Sequence, residues 1–102
     1  MQTTSLSSEE PAVEAIELTA VLAALSDPGR LAVVRELASC EERTCGTFGY
    51  WQSKATRSHH LKILREAGLT RTRAESTHRY VSLRRDDLEA RFPGLLDAVL
   101  GG

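Results

Sequence analysis

At 102 residues the chain has length for one domain and no second core. Two cysteines are too few for a disulfide scaffold. No apolar run reaches the roughly 18 residues of a membrane span, and the start MQTTSLSSEEP lacks the basic and apolar parts of a secretory signal, so a cytoplasmic protein with reduced thiols is expected. The net charge of −1 taken whole speaks against nucleic acid, but it is a sum of unlike parts: residues 1–52 carry −5, residues 53–85 carry +7 and residues 86–102 carry −3.

Residues 1–11 are polar and read as a flexible tail ahead of a single domain over 12–102. Val13, Ile16, Ala20, Leu22, Ala23 and Leu25 recur at helical spacing and predict a first helix over about 12–25. Ser26-Asp27-Pro28 punctuates the chain. Asp27 suits a helix cap and Pro28 a first helical position, so a second helix follows through Leu31, Val33, Val34 and Leu37 to near Ser39. Thr44 is placed to cap a short helix over roughly 45–50, and Ser53 a fourth helix that Gly68 ends. Leu69 to Leu83 then alternates with period two around Glu75-Ser76-Thr77, which predicts a β-hairpin. Asp86 and Glu89 have the capping-box spacing for a terminal helix, which Pro93-Gly94 interrupts. The order α-α-α-α-β-β-α, mainly α with a β-hairpin wing, is that of a winged helix-turn-helix.

The +7 segment falls on the fourth helix and the hairpin. Lys54, Arg57, Ser58, His59 and Lys62 make the N-terminal half of that helix basic and short-chained, as an element entering the major groove requires. Arg71, Arg73, His78 and Arg79 make the hairpin a candidate phosphate-binding wing, with salt-dependent affinity. A solvated basic face is the alternative on charge alone; the layout favours DNA.

LAALSDPGRLAVVRELA, then SHHLKILREAGL, then an arginine-rich hairpin resembles the ArsR/SmtB family of bacterial winged-helix repressors over roughly residues 18–83. The resemblance implies a homodimer paired through its first and last helices, an inverted-repeat operator in double-stranded DNA, and an effector that weakens DNA binding. It carries DNA contact to Lys54, Ala55, Ser58, His59, Arg73, Thr77, His78 and Arg79, with His60 sharing the doubled-histidine position. Arg57 departs from the family, where this position is apolar: it packs inward or adds a phosphate contact.

The family's usual metal sites are missing. Thr44 and Gly46 stand where a C-x-C thiol pair would, flanking Cys45, and residues 84–102 hold no histidine. Cys40 and Cys45 remain as metal or thiol candidates, for nickel, zinc or a thiol-reactive effector, against the plainer reading of two packing residues. Glu9, Glu10, Glu14 and Glu17 with Asp86, Asp87 or Asp97 would make only a weak hard-cation site, and a solvated acidic face is the simpler reading. His59, His60 and His78 could hold a metal in competition with DNA, but read more simply as DNA-facing or packed.

Leu95, Leu96, Val99 and Leu100 exceed what one short helix buries on a small domain. With Val13, Ile16 and Leu22 they predict a shared dimer interface. Cys45 with His59 or His60 is the only nucleophile–base pair on offer, and the chain is too short to enclose a substrate, so no enzyme is expected. The alternatives to an effector-controlled repressor are a DNA-binding protein governed by an accessory regulatory protein and a non-DNA interaction module.

Overall fold

Local chemistry sets most of the element boundaries in the computed structural model, which describes residues 10–40, 42–44, 51 and 53–101. After a 3-10 turn (Val13–Ala15) come α1 (Leu18–Leu25), α2 (Pro28–Ala38), β1 (Arg43–Thr44), α3 (Lys54–Glu66), β2 (Thr70–Glu75), β3 (His78–Leu83), α4 (Arg85–Arg91) and α5 (Leu95–Leu100). Most of the expected tail and the short helix over 45–50, with Cys45, lie outside the described residues.

Asp27 caps α2 by accepting from the Arg30 N–H at 3.0 Å, with Pro28 at the first turn. Ser53 Oγ does the same for α3 through the Thr56 N–H at 3.0 Å. At the other end of α3 the Leu69 N–H donates to the Leu64 carbonyl and the Gly68 N–H to that of Arg65, with Gly68 at φ +90°. This is a Schellman closure, and the fully buried Leu64 and Leu69 supply its hydrophobic contact.

The expected first helix is instead two elements. Ile16 and Glu17 are extended between the 3-10 turn and α1, so the Ile16 carbonyl makes no helical bond and accepts from Arg91 Nε at 3.2 Å. The break lets the Ile16 side chain bury against Gly68. The terminal helix also starts earlier than its capping-box pattern predicts. Arg84 precedes it with no side-chain cap, Asp87 accepts from Arg84 Nε at 3.0 Å, and Glu89 accepts from the Gly94 N–H at the helix's far end. Burial of the Arg84 guanidinium demands a carboxylate, which takes Asp87 in the first turn and fixes the start. Gly94, at φ +84°, then separates α4 from α5.

The hairpin register runs from Thr70↔Leu83 to Glu75↔His78 around a Ser76-Thr77 turn with Ser76 left-handed at φ 58°. The two-residue β1 adds a third strand on the other side of β3, giving the order β1-β3-β2. Thr70, Thr72 and Val81 face a core of Leu37, Val33, Val34, Leu61, Leu64 and Leu88. Ile16 and Leu96 belong to this core within one chain, at 1% and 5% exposure, which corrects their assignment to a dimer interface. Burial inside the protomer leaves neither side chain for a partner.

Candidate nucleic-acid interface

Helical periodicity splits α3 into two faces. Leu61 and Leu64 point into the core, with Arg57, His60 and Ile63 half-buried beside them. Ala55, Ser58, His59 and Lys62 are exposed on the opposite side, and Lys54 and Thr56 are exposed in the first turn. The candidate contacts Ala55, Ser58, His59 and Lys62 therefore share one free face, with Lys54 at the exposed start of the helix, and Lys62 pairs loosely with Glu66 at 3.9 Å.

His60 does not join that face, contrary to the sequence expectation. It lies four residues before the buried Leu64, and that spacing turns it inward. Its ring stacks on Trp51 at a centroid distance of 4.6 Å, and its Nδ1 lies 2.9 Å from Arg30 Nη1. Since a guanidinium only donates, the neutral ring accepts at Nδ1. Arg30 also donates from Nε to the Ala24 carbonyl at 2.7 Å. One arginine of the SDPGR stretch thus ties the end of α1 and the start of α2 to α3. Neither Arg30 nor Trp51 stood out as functional in the sequence; the signal for Arg30 was its place in that motif.

Burial holds the His60 pKa below its ordinary value, and the neighbouring Arg30 and His59 push the same way against the attraction of Asp27. The folded chain binds this proton less readily than the unfolded one. The stability His60 contributes is therefore complete above about pH 6.5, the unfolded value, and is lost as pH falls through the lowered folded pKa. His60→Phe keeps a ring against Trp51 and removes the titration. The fall in Tm from about pH 7 to 5 should then be smaller than in the wild type, as thermal melts followed by circular dichroism would show.

On the hairpin, Thr77, His78 and Arg79 are exposed at and beside the turn. Arg71 pairs with Asp87 at 3.3 Å and lies 3.9 Å from Glu10. Arg73 is engaged further: its Nε and Nη2 donate to the two oxygens of Glu42 at 3.1 and 2.9 Å, its Nη1 to Glu75, and its guanidinium lies 4.6 Å over the Tyr80 ring. These hydrogen bonds raise the Arg73 pKa and lower that of Glu42.

Residues 25–73, from the end of α1 into β2, match a helix-turn-helix domain family. The HTH-type transcriptional regulator YceK of Bacillus subtilis (strain 168) is 46% identical over 82 residues, 78% of this chain and 82% of the relative. The chain belongs to the HTH-type transcriptional regulators. A solved ArsR family transcriptional regulator has the same fold, with a TM-score of 0.67 at 22% identity over 79% of this chain and 90% of that one. The transcriptional repressor BigR from Xylella fastidiosa superposes with a TM-score of 0.61 at 26% identity, covering 80% of this chain and 84% of BigR. As an HTH-type transcriptional regulator the chain is a DNA-binding protein and not an enzyme.

In this chain the effector candidates find little company. Cys40 is half-buried against the core, its Sγ 3.5 Å from the Glu36 carbonyl, and Cys45 lies outside the described residues. Glu10 accepts from the Thr72 N–H at 2.8 Å and Asp87 serves Arg84 and Arg71, so these carboxylates are held by partners within the fold. Among the described residues no three His, Cys, Asp or Glu side chains gather as a metal site, and no helix is long and apolar enough to cross a membrane.

Proposed function

We propose that this regulator is an ArsR-type repressor that binds an inverted-repeat operator as a homodimer. The observation that carries the reading is the free face of α3, where Ala55, Ser58, His59 and Lys62 stand together, with Lys54 exposed at the helix start, on a helix whose other side is locked into the core by Leu61, Leu64 and His60. Lys54 can meet a guanine edge or a phosphate, Ser58 permits close approach, and His59 can donate to base or backbone. BigR, a transcriptional repressor, shares the fold, which supports the sign of regulation.

The dimer surface differs from the one the sequence suggests. Leu18 and Leu22, one helical turn apart on α1, are exposed at 42% and 45%, and Val13, Leu95, Val99 and Leu100 are part-buried. These six are the apolar side chains a second copy would cover. Control by nickel, zinc or a thiol-reactive agent would act through Cys40 and Cys45. A Cys40→Ser, Cys45→Ser double variant that keeps its full response to such agents excludes that route.

Selection of duplexes from a random pool by the purified protein should return an inverted repeat. Ser58→Asp should abolish retardation of that duplex while leaving the melting temperature unchanged. A wild type that prefers no sequence over random duplex refutes the reading.

A further inference from the structure

The hairpin's cations divide by face. Strand alternation and the register Arg73↔Tyr80 and Glu75↔His78 place Arg71, Arg73, Glu75, His78 and Tyr80 on the outer face of the sheet. The opposite face carries Thr70, Thr72 and Val81, all buried, and it packs toward α3, where Arg65 Nη1 lies 3.5 Å from Thr72 Oγ1. Arg79, paired with Ala74, is on this second face. It stands two residues beyond Val81, where the core has ended and the side chain is exposed.

The outer face is laced by one side chain. Arg73 starts on β2, crosses the Tyr80 ring of β3 and ends in a two-pronged bond to Glu42, the residue that leads into β1. The contact spans all three strands and joins residues 31 apart in sequence. It fastens the hairpin to the chain that goes on to the recognition helix, whose cap is Ser53. A guanidinium that donates to two carboxylates and covers a ring has its charge neutralised and its fork occupied. To reach a phosphate it would have to abandon both carboxylates and leave them facing the DNA.

We infer that Arg73 is not a DNA contact but a positioning residue, which with Glu42 sets the angle of the wing, and that Arg79 is the wing's phosphate-binding cation. The inference rests on the DNA-binding reading of α3 and the hairpin, and assigns the two arginines opposite roles in it.

Salt dependence separates the roles, because only a cation that neutralises a phosphate contributes to the slope of log K against log salt. The probe is a fluorescein-labelled mixed-sequence duplex, titrated with full-length protein by anisotropy over a range of potassium chloride. Arg79→Gln should lower the magnitude of the slope by about 0.9 per protomer. Arg73→Gln and Glu42→Gln should each leave the slope unchanged and weaken binding about three- to tenfold, about 0.6–1.4 kcal/mol. The double variant should be no weaker than either single one, as expected of partners in one contact. Circular dichroism melts confirm that each variant is folded. A slope reduced by Arg73→Gln, or affinity and slope both raised by Glu42→Gln, overturns the inference, since either result means that Arg73 reaches phosphate once released. An unaltered slope in Arg79→Gln overturns the other half. A wild type that fails to bind the duplex at low salt refutes the parent reading instead.

Discussion

Gly68→Ala should lower stability by about 2–5 kcal/mol, a fall in Tm of roughly 10–30 °C for a domain of this size. Two costs combine. Gly68 sits at φ +90°, where a residue with a Cβ is strained by about 1–2 kcal/mol. The added Cβ would also stand 2.7 Å from Ile16 Cγ1 and 3.0 Å from its Cδ1. Ile16 cannot easily yield, since it is 1% exposed and its carbonyl is held by Arg91. The overpacking adds about 1–3 kcal/mol. A double-mutant cycle separates the parts: with Ile16→Ala in the background, Gly68→Ala should cost only the backbone share, about 1–2 kcal/mol. Melts that show Gly68→Ala as stable as the wild type would mean that the α3–β2 junction is not built as described. The position matters for function because this junction fixes where the wing leaves the recognition helix.

Leu96→Asp should unfold the protomer, whereas Leu22→Asp should leave it folded and separate the proposed dimer. At 5% exposure Leu96 is part of the core, and truncation of such a leucine alone costs about 2–5 kcal/mol. Desolvation of the new carboxylate adds to that, and the total is comparable with the whole stability of a small domain, about 5–15 kcal/mol. Leu22 is 45% exposed, so a carboxylate there stays hydrated in the monomer and is forced out of water only by a second copy. Circular dichroism distinguishes folded from unfolded, and sedimentation velocity distinguishes one chain from two. A folded Leu96→Asp monomer would restore the interface expected from the sequence. A Leu22→Asp protein that sediments as a dimer would remove α1 from the proposed one.

His60 and Arg73 show where sequence reasoning stops short. Both are basic residues in a basic segment, and composition groups them with Lys54, Ser58 and Arg79. His60 was legible in part, since its spacing from Leu64 places it on the inner arc of α3, but its partner Arg30 lies thirty residues away. Nothing in the alternating hairpin marks Arg73 as engaged, because Glu42 reaches it from across the third strand. Strand β1 itself, only two residues long, carries no period to detect. A continuous helix from residue 12 leaves Leu18 outside its apolar stripe, whereas the extended Ile16-Glu17 break sets the exposed face of α1 anew.

Local forces are legible in the amino-acid order. Asp27 and Ser53 cap α2 and α3 because their oxygens lie within reach of the next turn's N–H groups, Gly68 ends α3 because it alone takes a positive φ without strain, and alternation produces the hairpin. The motif order was enough for the winged helix-turn-helix. Only the tertiary structure decided which of the apolar residues are core and which are free for a partner, and which of the arginines are neutralised and which can meet a phosphate. Burial and ion pairing depend on side chains that the folded chain brings together from distant positions, and no local pattern records them.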